Sequence, residues 1–295
     1  MPRLTAVLTA VLLLAACGES EPTQQPSVVD DLGRQVVAGG TPQRLVSLAP
    51  GTTEMLFAAG LGDRLVGVTD ADDYPEAVSG IARIQALPLN HEAVVALQPD
   101  LVFASDQIND PRDAEALSAV GIPTYFVSVQ SIPDLPRGIR ALGARFGSAD
   151  AANAYADSLE RTLAELDTRR EEFGDTLSTI FLIGDETLFS FGPESYVHDM
   201  IAIAGGRSLT ADLDTEAPIL SEEFVLAAAP DVILTAFDPD PARLLALHPA
   251  WSTVPAIRNG RVHMIPADEV LRAGPRIVAG TRSMSEAIQR RSRSR

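Results

Sequence analysis

Apolar and polar positions follow two spacings that alternate along the chain. Short runs of nearly uniform apolar character are typical of strands buried on both faces of a sheet. They occupy 44–49, 65–68, 101–104, 124–127, 179–183, 232–235 and 262–265. Segments between these runs have the i, i+3, i+4 spacing of amphipathic helices. The alternation predicts an α/β fold with mostly parallel sheets, arranged as two Rossmann-like lobes.

The predicted sheets also indicate where a ligand would bind. In open parallel sheets, ligands bind beyond the carboxyl ends of the strands. The candidate site is therefore formed by the loops that follow Ala49, Val68, Ala104, Ile183, Ala236 and Ile265.

The longest helical pattern runs from Asp150 to Phe173, with Asp150 as the expected N-cap and Gly174 directly after it. No Gly or Pro interrupts this segment, which would form a rod of roughly 36 Å. One stripe of the helix is expected to be buried; it consists of Ala152, Tyr155, Ala156, Leu159, Leu163 and Leu166.

Similar sequence appears on both sides of this rod. Residues 92–104 and 223–235 each begin with Glu and continue as a short helix, a Pro-Asp pair and an apolar run, and the two copies lie 131 residues apart. Helix, Pro-Asp and strand in succession are also common in α/β proteins generally. A period this long is unsuited to a solenoid. We expect an amino-terminal lobe over 28–149, a connecting helix over 150–173 and a carboxy-terminal lobe over 174–295.

The amino terminus has the features of a secretory signal. Arg3 precedes an apolar run too short to span a bilayer, and Leu14-Ala15-Ala16-Cys17 follows it. This sequence is similar to a bacterial lipobox, which implies a signal peptide over 1–16 and lipidation of Cys17. An ordinary signal or a buried Cys is the alternative. Residues 17–27 are expected to form a flexible tether, so the protein would face the periplasm or the cell exterior on a lipid anchor.

Composition and charge exclude several functions. A net charge of −17 over 295 residues argues against nucleic-acid binding. All 23 basic residues are Arg, which excludes Schiff-base chemistry and the Lys of a phosphate-binding loop. The chain has no Gly-x-Ser-x-Gly motif, so a hydrolase is only the second-class alternative. The four His lack metal-ligand spacing, and neither a metal nor a cofactor is expected.

Six motifs in one order resemble the ABC-importer substrate-binding proteins for cobalamin, ferric siderophores and haem, the class III periplasmic binding proteins. They cover roughly 30–289, and the cobalamin binders are the most similar. The motifs are Ser47-Leu-Ala-Pro-Gly-Thr-Thr-Glu54, Asp73-Tyr-Pro75, Pro99-Asp100, Gly192-Pro-Glu-Ser, Ser221-Glu-Glu-Phe and Gly274-Pro-Arg276.

The resemblance implies a partner and the residues that contact it. The partner is an ABC permease dimer with a cytoplasmic ATPase, and one acidic side chain from each lobe docks on permease arginines. Glu54 matches the docking residue of the amino-terminal lobe. Glu223 matches that of the carboxy-terminal lobe, with Glu222 beside it as the fallback. Two exposed acids can each accept a bidentate Arg contact.

The resemblance also implies a ligand cleft between the lobes. Asp268, Arg272 and Phe189 match positions that line it, and Gly51, Tyr74 and His91 are further candidates. Cobalamin binders place stacking aromatics where this chain has Ala71, Ser105 and Ala217. These differences count against a corrinoid, but the cobalamin binders are the most similar, so a corrinoid is the expected ligand. A ferric siderophore is the alternative, and haem with His91 as axial ligand is less favoured. A surface His beside a helix start is the other interpretation of His91.

Overall fold

The computed structural model describes residues 27–170, 176–215 and 217–290. A hairpin of β1 (Ser27–Val29) and β2 (Gln35–Val37) opens this part of the chain. Ser27 already belongs to a strand, so the expected tether extends one residue too far. Residues 1–26, which contain the predicted signal peptide and Cys17, lie outside the described residues.

The first large sheet is built from five parallel strands. They are β3 (Leu45–Ser47), β4 (Leu65–Thr69), β5 (Ala82–Ile84), β6 (Leu101–Ser105) and β7 (Thr124–Val127), in the order β5-β4-β3-β6-β7. The helices of this half are α1 (Pro50–Ala58), α2 (His91–Ala96), α3 (Pro111–Ala119) and α4 (Asp134–Phe146). Short 3₁₀ turns occupy 62–64 and 76–80.

The second large sheet has four parallel strands. They are β8 (Leu177–Leu182), β9 (Gly206–Ser208), β10 (Val232–Thr235) and β11 (Val262–Met264), in the order β11-β10-β8-β9. Its helices are α6 (Tyr196–Ile203), α7 (Glu222–Ala228), α8 (Pro241–Leu247), α9 (Pro255–Arg258), α10 (Ala267–Val270) and α11 (Ile277–Gln289), with a 3₁₀ turn at 249–253.

Helix α5 (Ala149–Arg170) connects the two sheets. Residues 171–173, its predicted end, lie outside the described residues. The expectation that Asp150 is the N-cap is wrong, because the helix already includes Ala149 and Asp150 lies in its first turn. The predicted stripe is buried except for Tyr155, which is 41% exposed. That residue lies about 60° from the middle of the stripe, at its edge.

The internal repeat is visible in the backbone of both lobes. Asp100 donates its N–H to the carbonyl of Arg44 at 2.8 Å, and Asp231 donates its N–H to that of Ser178 at 2.9 Å. In each lobe the Asp carboxylate also accepts the N–H of the same residue. The residue before each repeat Pro has a positive φ, 48° in Gln98 and 43° in Ala229. The two copies therefore form equivalent structures, as the sequence predicts.

One hydrophobic core is continuous across the connecting helix. Buried Leu159 and Leu163 of α5 belong to the same cluster as Met55 of α1 and Met200 of α6. Helix α11 packs against both α5 and α6. The two-lobed α/β fold with a long connecting helix is thus confirmed, and apolar packing fixes how its halves meet.

Candidate functional site

Two adjoining cavities open between the lobes at the carboxyl ends of the strands. One has a volume of about 490 Å³ and is lined from both lobes, by Leu48, Pro50 and the loop after β4 on one side and by α10 on the other. The second, of about 480 Å³, lies between the loop after β6 and the segment 191–196. Ile108 and Leu271 line both cavities, so the two join into one cleft.

The strand-end loops form this cleft largely as the sequence predicts. The predicted loops after β3, β4, β6, β8 and β11 each contribute lining residues, whereas the loop after β10 contributes none to either cavity. Apolar side chains at the wall are exposed to the cleft, among them Leu87, Ile108 and Leu271. Exposed apolar groups in a concave wall are suited to the apolar surface of a ligand.

Acidic side chains outnumber basic ones in the cleft. Asp70 and Asp268 line the first cavity, and Asp106 and Glu194 line the second. Asp106 Oδ1 is buried and has no hydrogen-bond partner. Burial raises the pKa of Asp106, against hydrogen bonds that lower it. An unpaired buried acceptor gains from any donor that a ligand brings.

Arg272 is the one basic residue lining the two cavities, and its donors already have partners. Arg272 Nη1 lies 2.5 Å from Asp73 Oδ1, and Nη2 lies 2.7 Å from Asp268 Oδ1. Asp73 belongs to the amino-terminal lobe, so this contact crosses the cleft. The predicted cleft positions of Asp268 and Arg272 therefore agree with the structure, but the guanidinium is neutralised by two protein carboxylates.

A second ion pair joins the lobes beside the first. Arg276 donates through Nε to Glu54 Oε1 at 2.9 Å, and its Nη2 lies 2.8 Å from the same oxygen and 3.2 Å from Asp73 Oδ1. We call Glu54, Asp73, Arg272 and Arg276 the interlobe ion cluster. Glu54 is 2% exposed and its Oε2 has no partner. The expectation that Glu54 is an exposed docking acid is therefore wrong, because α1 is enclosed between the two lobes.

The pKa values of the two carboxylates in this cluster are shifted in opposite directions. Burial raises the pKa of Glu54, and the hydrogen bond and charge of Arg276 offset it only in part. Burial also raises that of Asp73, but Arg272 and Arg276 outweigh this effect and hold the pKa of Asp73 below its ordinary value. Asp73 is exposed on its other side, which explains its smaller desolvation cost.

Gly51 lies at the contact between the lobes rather than at a cavity wall. A Cβ at this position would be 2.7 Å from the carbonyl oxygen of Ala273, closer than real Cβ atoms approach. Gly274 faces it, with its own Cβ position 3.0 Å from Gly51 Cα. The missing side chains allow two backbones to touch. The expectation that Gly51 contacts the ligand is thus replaced by a role in closing the lobes.

Three other predicted pocket residues line neither cavity. Phe189 is exposed and pairs with Ile219 in an isolated bridge. Tyr74 is exposed, with the Arg276 guanidinium 5.0 Å from its ring centre. His91 lies outside the cleft in a groove between α2 and α3, with Nε2 3.0 Å from Asp113 Oδ1. None of the three lines either cavity, so their ligand contacts stay predictions without support from the cleft geometry.

The internal repeat makes Glu92, rather than Glu54, the equivalent of Glu223 in the amino-terminal lobe. Glu223 and Glu92 occupy the same position of the two copies, each in the first turn of its helix and exposed. A side chain caps each helix, that of Asn90 in α2 and that of Ser221 in α7. Hydrogen bonds from its own backbone and from Ser221 lower the pKa of Glu223. Its neighbour Glu222 instead pairs with His248 at 2.8 Å.

Several site residues were missed by the sequence analysis. Asp106 and Ile108 follow a strand, and that position was their only signal, whereas Glu194 lies in the Gly192-Pro-Glu-Ser motif but was not assigned to the cleft. Arg276 was recognised in a motif, but its partner Glu54 is 222 positions away. Glu92 was present in the repeat, and its equivalence to Glu223 was the signal that identified it.

Two further properties concern the described part of the chain alone. Within it, no three His, Cys, Asp or Glu side chains are grouped so that they could hold a metal ion. Among the helices of residues 27–170, 176–215 and 217–290, none is both long and apolar enough to cross a membrane.

Comparison with known proteins agrees with this geometry. Residues 45–269 match the family model described as periplasmic binding protein. An uncharacterized ABC transporter substrate-binding lipoprotein of Bacillus subtilis is 29% identical, covering 96% of this chain and 95% of the relative.

Two solved structures of periplasmic binding proteins are similar to this chain over most of its length. The periplasmic vitamin B12 binding protein BtuF of Vibrio cholerae has a TM-score of 0.73 and 25% identity, covering 84% of this chain and 97% of that one. The periplasmic heme-binding protein RhuT of Roseiflexus sp. RS-1 has a TM-score of 0.73 and 28% identity, covering 84% and 99%. This chain belongs to the periplasmic binding protein family and is the extracytoplasmic substrate-binding component of an ABC transporter.

Proposed function

We propose that this protein captures cobalamin or a similar corrinoid between its lobes and delivers it to a permease. The observation that carries the proposal is the pair of joined cavities that share Ile108 and Leu271. Together they reach the upper end of the range for small-molecule pockets, roughly 300–1,000 Å³, and combine apolar walls with polar groups. A large ligand with an apolar ring system and many polar side chains suits such a cleft. Similarity to a vitamin B12 binding protein supports the same choice.

A ferric siderophore is the alternative, and haem is less favoured. Similarity to a heme-binding protein keeps haem in consideration. However, His91, His198, His248 and His263 line neither cavity. Tyr196 lines the second cavity, but its buried hydroxyl already donates to the Val270 carbonyl at 2.7 Å. An axial ligand for haem would therefore require the cleft to rearrange.

The ligand assignment is tested by titrating the mature protein with cobalamin, cobinamide, haemin and a set of ferric siderophores. Changes in Trp and Tyr fluorescence report binding. Saturation by the corrinoids alone is the expected result. Saturation by a ferric chelate alone, or by haemin alone, would replace the corrinoid with that ligand.

Glu92 and Glu223 are the proposed contacts with the permease dimer. Their exposure and their equivalent positions at two helix starts support this assignment. Each carboxylate is exposed to solvent, and an exposed carboxylate can accept a bidentate bond from a permease Arg. One acid on each lobe would fix the orientation of the protein, so that the cleft faces the transport pathway of a partner driven by a cytoplasmic ATPase.

Transport measurements test this docking pair. The double variant Glu92→Ala with Glu223→Ala should abolish uptake of labelled cobalamin while its affinity in solution stays within twofold of wild type. Glu165→Ala with Glu286→Ala removes two exposed acids elsewhere and serves as the matched control. Normal uptake by the Glu92/Glu223 variant would contradict the assignment, and lost affinity would place these acids at the ligand.

The lipid anchor is part of the proposal. Cys17 would carry the lipid after removal of residues 1–16, and the chain up to β1 would act as the tether. The membrane then contacts the protein only through this anchor, which keeps the cleft close to the permease.

A further inference from the structure

The polar groups of the cleft are dominated by acceptors. Four carboxylates line the two cavities, those of Asp70, Asp106, Glu194 and Asp268. The single guanidinium is that of Arg272, which is already paired with Asp73 and Asp268. Arg272 balances Asp268, but no other basic residue lines the two cavities beside Asp70, Asp106 or Glu194, so a ligand entering the cleft meets uncompensated negative charge from both lobes.

One buried acceptor in this lining, Asp106 Oδ1, has no hydrogen-bond donor. Asp106 Oδ1 is shielded from solvent and receives no hydrogen bond from the protein. Asp106 donates its backbone N–H to the carbonyl of Val127 at 3.3 Å, and this hydrogen bond fixes the residue at the end of β6. A buried carboxylate oxygen without a donor is costly, and rotation of the Asp106 side chain into the cavity that it lines would let a ligand N–H relieve this cost.

Uncharged polar side chains add to this pattern. Gln85, Gln107 and Gln130 line the cleft, and the amide nitrogen of Gln107 is bound to the Val129 carbonyl at 2.8 Å. Its amide oxygen is an additional acceptor. Amides pair with amides through both donor and acceptor atoms.

We infer that the cleft selects a ligand whose rim carries amide or amine donors and that it rejects ligands bearing free carboxylates. A carboxylate would approach four acidic side chains without an unpaired Arg to receive it, and both its desolvation and its repulsion oppose binding. An amide on the same scaffold would instead donate to Asp106 and its neighbours. The inference rests on the proposed function, because it assigns the chemical class of the ligand to the same cleft.

The test compares two forms of the same scaffold, so that only the rim chemistry differs. The pairs are cobinamide with cobyrinic acid, the bis-amide of haemin with haemin, and ferrioxamine B with its N-succinyl derivative. Affinities are measured by calorimetry at pH 7 and low salt. In whichever scaffold binds, the amide or amine member should bind at least tenfold more tightly than the carboxylate member. Equal affinity, or tighter binding of the carboxylate member, would overturn the inference.

Failure of the proposed function has a different signature. Preference for amide or amine rims outside the corrinoids would uphold the inference and refute the corrinoid assignment, and no binding in any pair would refute both. Asp106→Asn should reduce the preference within a pair at least threefold. Asp157→Asn, an exposed change on α5, is the matched control and should leave the preference unchanged.

Discussion

Glu54 and Arg276 lie in opposite lobes, 222 positions apart, and their side chains meet with Nη2 2.8 Å from Oε1. The carboxylate comes from a helix enclosed on nearly all sides, and the guanidinium precedes α11. Arg272 and Asp73 extend the contact toward the cleft. Of these four residues, Arg272 also lines the cleft, so the contact between the lobes beside the proposed binding site is ionic as well as apolar.

A double-mutant cycle measures what this contact contributes. Glu54→Gln, Arg276→Gln and the double variant should give a coupling energy of about 1–3 kcal/mol, because one partner is buried and shielded from solvent. The control cycle uses Arg140 and Glu160, an exposed pair 2.6 Å apart, and should give a smaller coupling energy because solvent screens the two charges. Urea unfolding provides the measurement. Equal coupling in the two cycles would show that burial does not strengthen the interlobe pair.

The contribution of Glu54 to the free energy of unfolding depends on pH, and the direction of its pKa shift gives the sign. Because burial raises its pKa above the ordinary 4.5, the folded state holds the proton more tightly than the unfolded state. This contribution is fully present below pH 4.5 and is lost as pH rises through the folded pKa. The stability of wild type relative to Glu54→Gln should therefore increase as pH falls from 7 toward 4.5.

Unfolding free energies of the two proteins across that range provide the check. All other titratable groups are shared, so their effects cancel in the difference. A difference that is constant with pH, or that falls on acidification, would contradict the raised pKa.

Gly51 offers a steric test of lobe closure. Gly51→Ala places a Cβ 2.7 Å from a backbone oxygen of the other lobe. We expect a loss of about 1–3 kcal/mol, although Ala favours helices more than Gly does. Ligand affinity should fall as well, since the lobes are pushed apart. Gly39→Ala, where no atom lies within 4 Å, should change stability by less than about 0.5 kcal/mol. Similar losses in both variants would exclude a specific role for the lobe contact.

Cys17 is tested by fractionating cells. Cys17→Ser should move the protein from the membrane fraction to the soluble fraction, because the lipid is its proposed attachment. Mass spectrometry of the wild-type protein should find a modified Cys17 at the amino terminus. A wild-type chain that begins elsewhere, or a variant that stays in the membrane fraction, would contradict lipidation.

The fold was predictable because its rules are local. Apolar runs bounded by Pro or Gly define the strands, and the repeat around Pro99 and Pro230 predicts two equivalent lobes whose Asp100 and Asp231 make the same bonds. Strands β5 and β9 were missed, since three-residue runs containing Arg lack a clear apolar period. Local patterns thus predict the central strands of a sheet more reliably than its short edge strands.

The site was less predictable because it depends on contacts between distant residues. Glu54 was expected at the surface, yet α1 contains few polar residues besides Glu54. That composition is typical of a buried helix. Its partner Arg276 is far away in sequence. Phe189 was expected in the cleft because it matches a family position, and Tyr74 was a further candidate, but a side chain's direction depends on packing that the sequence does not specify locally. The acceptor-rich lining emerges only when both lobes are assembled.

The central claim, that a corrinoid is held between the lobes, is tested most directly by titrating cyanocobalamin into three proteins. Wild type should bind one equivalent saturably, and Ile108→Arg should weaken binding at least tenfold, because Ile108 lines both cavities. Val95→Arg is the control, since Val95 is 41% exposed against 39% for Ile108 and lies outside the cleft. It should bind like wild type. No saturable binding by wild type, or equal affinity in all three proteins, would contradict the claim.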